Sequence, residues 1–187
     1  MCGASAQQMI EPASATPVPG PMPEILRQYT PVTAARLKNP EGGNWLMFRR
    51  TFDGWGYSPL GEITPANVGR LQPAWSLATG QIEGHEAPPV VNNGVMFVAT
   101  PGNQLLALEA RTGKVLWRYK RPLPEDMTPL HPTSRGVGLY GDKVYFAAAE
   151  AVLVAIDART GKEAWAAKVD DYKKGYYLSL APLVIDG

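Results

Sequence analysis

The sequence has one cysteine, Cys2, in 187 residues. A single thiol closes no intrachain disulfide and builds no cysteine-rich zinc site. An excess of either charge is also missing: 18 Lys and Arg stand against 17 Asp and Glu, a formal net charge of +1. That balance leaves no basic surplus for nucleic acid and no acidic tail. No apolar run reaches the length of a membrane-crossing helix. No segment after residue 72 needs an amphipathic helix to explain its pattern. Gly42-Gly43 and the Gly54, Gly56 pair lack the strand-to-helix context of a nucleotide loop, and no Ser-His-Asp set or metal-ligand cluster is visible.

What is present is turn chemistry and enough apolar material for a core. The chain has 19 Gly and 18 Pro, and 45% of its residues are hydrophobic. That suits short strands joined by many turns. Seven of the 18 Pro fall in the first 40 residues. Residues 1–43 are therefore expected to be a signal-peptide remnant and a Pro-rich leader, extended or disordered, with one helical turn around residues 24–28. Ala4-Ser5-Ala6 fits a signal-peptidase site, but the charged and apolar regions that should precede it are absent. Either the match is chance or the chain starts inside a signal peptide.

The informative feature is a repeat. Ala107-Leu108-Glu109-Ala110-Arg111-Thr112-Gly113-Lys114-Val115-Leu116-Trp117 returns 48 residues later as Ala155-Ile156-Asp157-Ala158-Arg159-Thr160-Gly161-Lys162-Glu163-Ala164-Trp165, with seven of eleven positions identical. Turn pairs recur at Asn93-Gly94, Tyr140-Gly141 and Asp186-Gly187. The first two lie between apolar runs, 89–91 with 95–99 and 137–139 with 144–148. Asn-Gly between such runs signals a hairpin, because a type I′ turn needs positive φ at both central residues. Further strands are expected at 105–108 and 153–156, each followed by a Thr-Gly-Lys turn and a strand ending in Trp. Four short strands per ~45 residues is the period of a β-propeller blade. The fold class is thus all-β: about two and a half blades of an incomplete propeller after the leader, with Trp117 and Trp165 packing between adjacent blades. Residues 66–71 suggest one helical turn, capped by Thr64 with Pro65 at its first position.

The motif Ala-x-(Asp/Glu)-Ala-x-Thr-Gly-Lys-x-x-Trp resembles the tryptophan-docking repeat of the quinoprotein dehydrogenases, whose cofactor is pyrroloquinoline quinone (PQQ). The stretch before it is similar to the opening of the PQQ-dependent alcohol and glucose dehydrogenases. It runs through Trp45, Arg50-Thr51-Phe52-Asp53, Tyr57-Ser58-Pro59-Leu60-Gly61-Glu62-Ile63-Thr64-Pro65-Ala66-Asn67-Val68-Gly69-Arg70-Leu71 and Ala74-Trp75. The likeness continues through Gly84-His85-Glu86-Ala87-Pro88-Pro89-Val90, Arg135-Gly136-Val137 and Ser179-Leu180-Ala181-Pro182. It covers residues 44–187, which it implies are the N-terminal part of an eight-bladed, PQQ-binding propeller.

The resemblance implies cofactor-binding roles for four residues. Glu86 would contact the cofactor rim, Arg135 would pair with a PQQ carboxylate, and the Ser179 hydroxyl would reach a carboxylate. The family's alcohol dehydrogenases usually carry two adjacent cysteines before the Arg-Gly; this chain has Pro129-Leu130 there, and His131 follows. That is similar to the membrane-bound glucose dehydrogenase pattern, and the His131 imidazole would lie against the quinone face. Read from the residues alone, Glu86 could also be a solvated loop residue, Arg135 the cap of a surface turn, Ser179 a solvent-facing strand residue and His131 an exposed loop histidine.

The family's activity is oxidation of an alcohol or sugar by PQQ, with calcium or a lanthanide as Lewis acid and an aspartate as base, electrons passing to cytochrome c or ubiquinone in the periplasm. The metal ligands and catalytic Asp are expected beyond Gly187. The chain is accordingly expected to be a fragment, inactive alone, without a nucleic-acid partner or a transmembrane helix. The alternative is a non-catalytic propeller scaffold such as an outer-membrane protein assembly lipoprotein.

Overall fold

The computed structural model describes residues 15–17, 20–82, 84–128, 131 and 133–187; the signal-peptide reading of residues 1–6 lies outside them. The elements run β1 (Ala15–Pro17), α1 (Glu24–Arg27), α2 (Ala34–Lys38), β2 (Val90–Asn92), β3 (Val95–Thr100), β4 (Gln104–Glu109), β5 (Val115–Lys120), β6 (Val137–Tyr140), β7 (Lys143–Ala148), β8 (Val152–Asp157) and β9 (Glu163–Lys168). Two antiparallel sheets result, ordered β1-β5-β4-β3-β2 and β6-β7-β8-β9. Each of the two repeats folds as one four-stranded blade, as the period predicts.

The turns follow from backbone sterics. Asn93 and Gly94 both have positive φ (47° and 82°), the type I′ requirement, and they join the paired residues Asn92 and Val95. In the second blade Tyr140 pairs with Lys143, so the turn residues are Gly141-Asp142, one position later than the sequence suggests. Both blades bend the β4-type strand at the same motif position, with register shifts at Ala107/Leu108 and Ala155/Ile156. At the third turn, Asp186 (φ 56°) and Gly187 (φ 100°) have the right handedness, but no strand forms after β9 among the described residues. The half blade is therefore a lead-in and a turn without a ladder.

The blades are joined by their tryptophans. The Trp117 indole N–H donates to the carbonyl of Ala158 at 3.0 Å, and its ring lies where a Cβ on Gly161 would come within 2.7 Å. Trp75 does the same one blade earlier, donating to Ala110 at 3.1 Å over Gly113. Trp165, expected to be equivalent, is 41% exposed and touches Tyr145 of its own blade. The 66–71 turn is a 3-10 turn at Val68–Arg70, and the side chain that ties it is Asn67, accepting from the Thr64 N–H, rather than a Thr64 cap.

The Pro-rich stretch is the main departure from the sequence reading. Its helical turn forms as α1, but residues 20–43 are packed rather than loose. Leu26, Tyr29, Val32 and Leu37 are all buried in the common core. Tyr29 meets Phe97 edge-on at 6.4 Å, and Val32 exchanges two backbone hydrogen bonds with Gly141. Arg36 reaches Glu41 at 2.7 Å and Asn92 at 3.0 Å. The segment thus straps the hairpin ends of both blades. Helices of four and five residues are too short to print a 3.6-residue period, which is why isolated apolar residues here gave no signal.

Arg36 holds the Glu41 carboxyl down at about 2. Its stabilisation is complete above the ordinary carboxylate range and is lost as the pH falls toward 2. Glu41 is 55% exposed, so solvent screening keeps the contribution under about 1 kcal/mol. Glu41→Gln is expected to lower the melting temperature slightly at pH 7 and not at pH 2, read by thermal melts across that range.

Candidate functional site

Strands β2 and β6 stand at the same end of their sheets, and each is preceded by an extended lead-in. The lead-ins lie side by side. His85 forms a parallel bridge with Ser134, and the Arg135 N–H donates to the Ser179 carbonyl at 3.0 Å. The Thr133 hydroxyl donates to the Gly84 carbonyl at 2.9 Å. The third lead-in crosses β6 so closely that a Cβ on Gly138 would fall 2.7 Å from the Pro182 carbonyl oxygen.

This stacking puts Glu86, Arg135 and Ser179 in one row, one from each successive lead-in. Arg135 is central. Its Nη1 donates to the Ser179 hydroxyl oxygen at 2.5 Å, and its Nη2 lies 3.5 Å from a Glu86 carboxylate oxygen. Both charged side chains are about half exposed, 52% for Arg135 and 43% for Glu86, so the row faces outward. Ser179 sits on an irregular segment, not on a strand. His131 is exposed, and among the described residues its imidazole makes no hydrogen bond to the row; it is tied in through its carbonyl, which accepts from the Tyr177 hydroxyl.

Sequence reasoning missed the supporting groups. The Tyr177 hydroxyl also reaches the Thr133 carbonyl at 3.5 Å, and burial pushes this phenol above its ordinary value. His85, beside Glu86, shares a 2.8 Å hydrogen bond with the Thr79 hydroxyl. The available signal was proximity in the chain, since Tyr177 is two residues from Ser179 and His85 one from Glu86.

A cavity of about 20 Å³ lies beneath the row, lined by Asn103, Thr133, Ser134, Phe146, Tyr177 and Leu178. It has room for about one water. A flat tricyclic cofactor does not fit there. The exposed side of the row presents a guanidinium fork and a hydroxyl, donors that suit a carboxylate. Among the described residues, no three His, Cys, Asp or Glu gather as a metal site, and no helix is long and apolar enough to cross a membrane.

The family profile described as "PQQ: Glucose/ethanol/alcohol dehydrogenase, beta-propeller domain" matches residues 45–168. The chain is 41% identical over 134 residues to quinoprotein alcohol dehydrogenase PedH of Pseudomonas putida, covering 70% of this chain and 22% of the relative. It is 42% identical over 132 residues to 1-butanol dehydrogenase (quinone) of Thauera butanivorans, covering 69% and 21%. The fold is similar to quinohemoprotein alcohol dehydrogenase ADHIIG of Pseudomonas putida HK5, with a TM-score of 0.75 at 35% identity over 85% of this chain and 24% of that one. A europium-containing methanol dehydrogenase gives the same TM-score at 31% identity, covering 81% and 27%. The chain thus spans about a fifth of the length of the curated relatives it matches. With the blade repeat, the docked tryptophans and the profile match over the same residues, this chain belongs to the PQQ-dependent glucose/ethanol/alcohol dehydrogenase β-propeller family.

Proposed function

We propose that this chain is the N-terminal part, residues 44–187 behind the packed leader, of a periplasmic PQQ-dependent alcohol dehydrogenase, and that Glu86, Arg135 and Ser179 bind the cofactor. The observation that carries this is the row itself: three side chains separated by 49 and 44 residues meet on one exposed edge, with Arg135 bridging the other two. Arg135 holds a cofactor carboxylate by its fork, Ser179 supplies a second donor, and Glu86 orients the guanidinium from the opposite side. His131 lies on the same lead-in as Arg135 and borders the cofactor face. When bound, PQQ supplies the two-electron acceptor for alcohol oxidation, with calcium or a lanthanide as Lewis acid.

The alcohol substrate follows the relatives' names, a butanol and a methanol dehydrogenase among them. Cytochrome c or ubiquinone takes the electrons. A scaffold propeller has no use for the Glu86–Arg135–Ser179 row, and the family match favours the dehydrogenase. Arg135→Ala in the full-length polypeptide should cost about 1.5–3 kcal/mol of PQQ affinity. That is roughly a ten- to hundred-fold rise in the dissociation constant. It is read by quenching of tryptophan fluorescence on PQQ titration. An unchanged constant would remove Arg135 from the site.

A further inference from the structure

The guanidinium of Arg135 is half exposed and sits at the end of a long side chain, so its aim depends on how firmly its backbone is held. The backbone just before it turns tightly, with the Thr133 N–H donating to the His131 carbonyl at 2.7 Å. One side chain closes that turn from outside. The Tyr177 hydroxyl donates to the His131 carbonyl and reaches the Thr133 carbonyl at 3.5 Å. Two residues along the same extended segment, Ser179 takes the Arg135 N–H on its carbonyl and the guanidinium on its hydroxyl. The third lead-in therefore clips the second at its turn and at its arginine, and Tyr177 supplies the first clip.

We infer that Tyr177 is a positioning residue for the cofactor row, its hydroxyl holding the backbone at His131 and Thr133 so that Arg135 is presented in place to a carboxylate-bearing ligand. This rests on the reading of the row as the PQQ site. The half-buried phenol lines the same small cavity as Thr133 and Ser134, so it is braced against the turn it holds. Its single O–H proton faces the two carbonyls, so the protonated phenol is the form that holds them, and burial favours that form. Pre-ordering the turn removes an ordering cost that binding would otherwise carry.

Tyr177→Phe deletes one oxygen and keeps the ring. In the full-length protein it should weaken PQQ binding about ten-fold, the weight of a hydrogen bond or two. The dissociation constant comes from tryptophan quenching. At saturating PQQ, kcat should stay within about two-fold of wild type, because Tyr177 touches no reacting atom. The decisive measurement is the double variant. If Tyr177 acts through Arg135, Tyr177→Phe should add less than about two-fold to Arg135→Ala. Full additivity would overturn the inference, since a general loosening of the fold weakens both backgrounds alike. A Tyr177→Phe constant within two-fold of wild type, beside a weakened Arg135→Ala, would also overturn it while leaving the row as the cofactor site. No effect of Arg135→Ala would instead remove the site reading beneath it.

Discussion

Trp117→Ala should destabilise the protein by about 3–5 kcal/mol. The ring is 1% exposed, so its whole apolar surface returns to a cavity rather than to solvent. It connects the two blades: its face packs over Gly161 and beside Phe97, at 5.8 Å between centroids, while its N–H satisfies the Ala158 carbonyl. Alanine therefore loses the transfer energy, leaves a cavity between sheets and orphans a buried carbonyl. The corresponding fall in melting temperature is on the order of 10 °C. Trp165→Ala is the internal comparison, because Trp165 has the same motif position but is 41% exposed; it should cost under half as much. Gly161→Ala tests the same contact from below. Gly161 has φ of 71°, and an added Cβ would meet the indole at 2.7 Å, so backbone strain and collision act together. If urea melts give Trp117→Ala no larger effect than Trp165→Ala, the docked ring is not what joins the blades.

The blade motif was legible because each fixed letter has a local job. In the second repeat, one Asp157 side-chain oxygen accepts from the Arg159 and Thr160 N–H groups and from the Thr160 hydroxyl, ordering the turn that Gly161 completes. The Ala158 carbonyl and the bare Gly161 face then receive the tryptophan. These contacts span few residues or repeat at blade spacing, so sequence displays them. Contacts without a period stayed hidden. Asn92 bonds the Thr30 carbonyl across 62 residues, and Arg36 reaches Asn92 across 56. That the Pro-rich stretch straps both hairpins therefore had no sequence signature. The site was intermediate. Glu86, Arg135 and Ser179 were named by resemblance, and their positions on successive lead-ins explain why they meet in one row. His131 was named with them, yet its link to the row is a backbone carbonyl, which no side-chain pattern reports.

Arg121→Ala should cost about as much as losing the docked tryptophan, for an electrostatic reason. Blade one contributes Asn103, Tyr119 and Arg121 to a buried cluster, and blade two contributes Glu150 and Glu163. Arg121 pairs with Glu150 and lies 3.4 Å from Glu163. Asn103 donates to Glu150 at 2.6 Å, and the Tyr119 hydroxyl donates to Glu163 at 2.7 Å. The three charged side chains are at most 7% exposed. Burial alone would weaken Arg121's hold on its proton, but the Glu150 carboxylate outweighs it and the guanidinium is held above its ordinary value. Tyr119 is pushed upward by burial and by its bond to Glu163. Removing Arg121 leaves the Glu150 carboxylate buried without its counter-ion, and breaking a buried ion pair from one side costs about 3–5 kcal/mol. Glu150→Gln should cost less, because the amide oxygen still accepts from Asn103 and Arg121 keeps Glu163. Glu150→Gln in the Arg121→Ala background should recover part of the loss, because it removes the buried charge that Arg121 leaves behind. Trp117→Ala removes only packing and one neutral hydrogen bond, so Glu150→Gln should recover nothing in that background. Urea melts of the single and double variants separate the two couplings between the blades; no recovery by Glu150→Gln beside Arg121→Ala would show that the Arg121 cluster contributes no charge term.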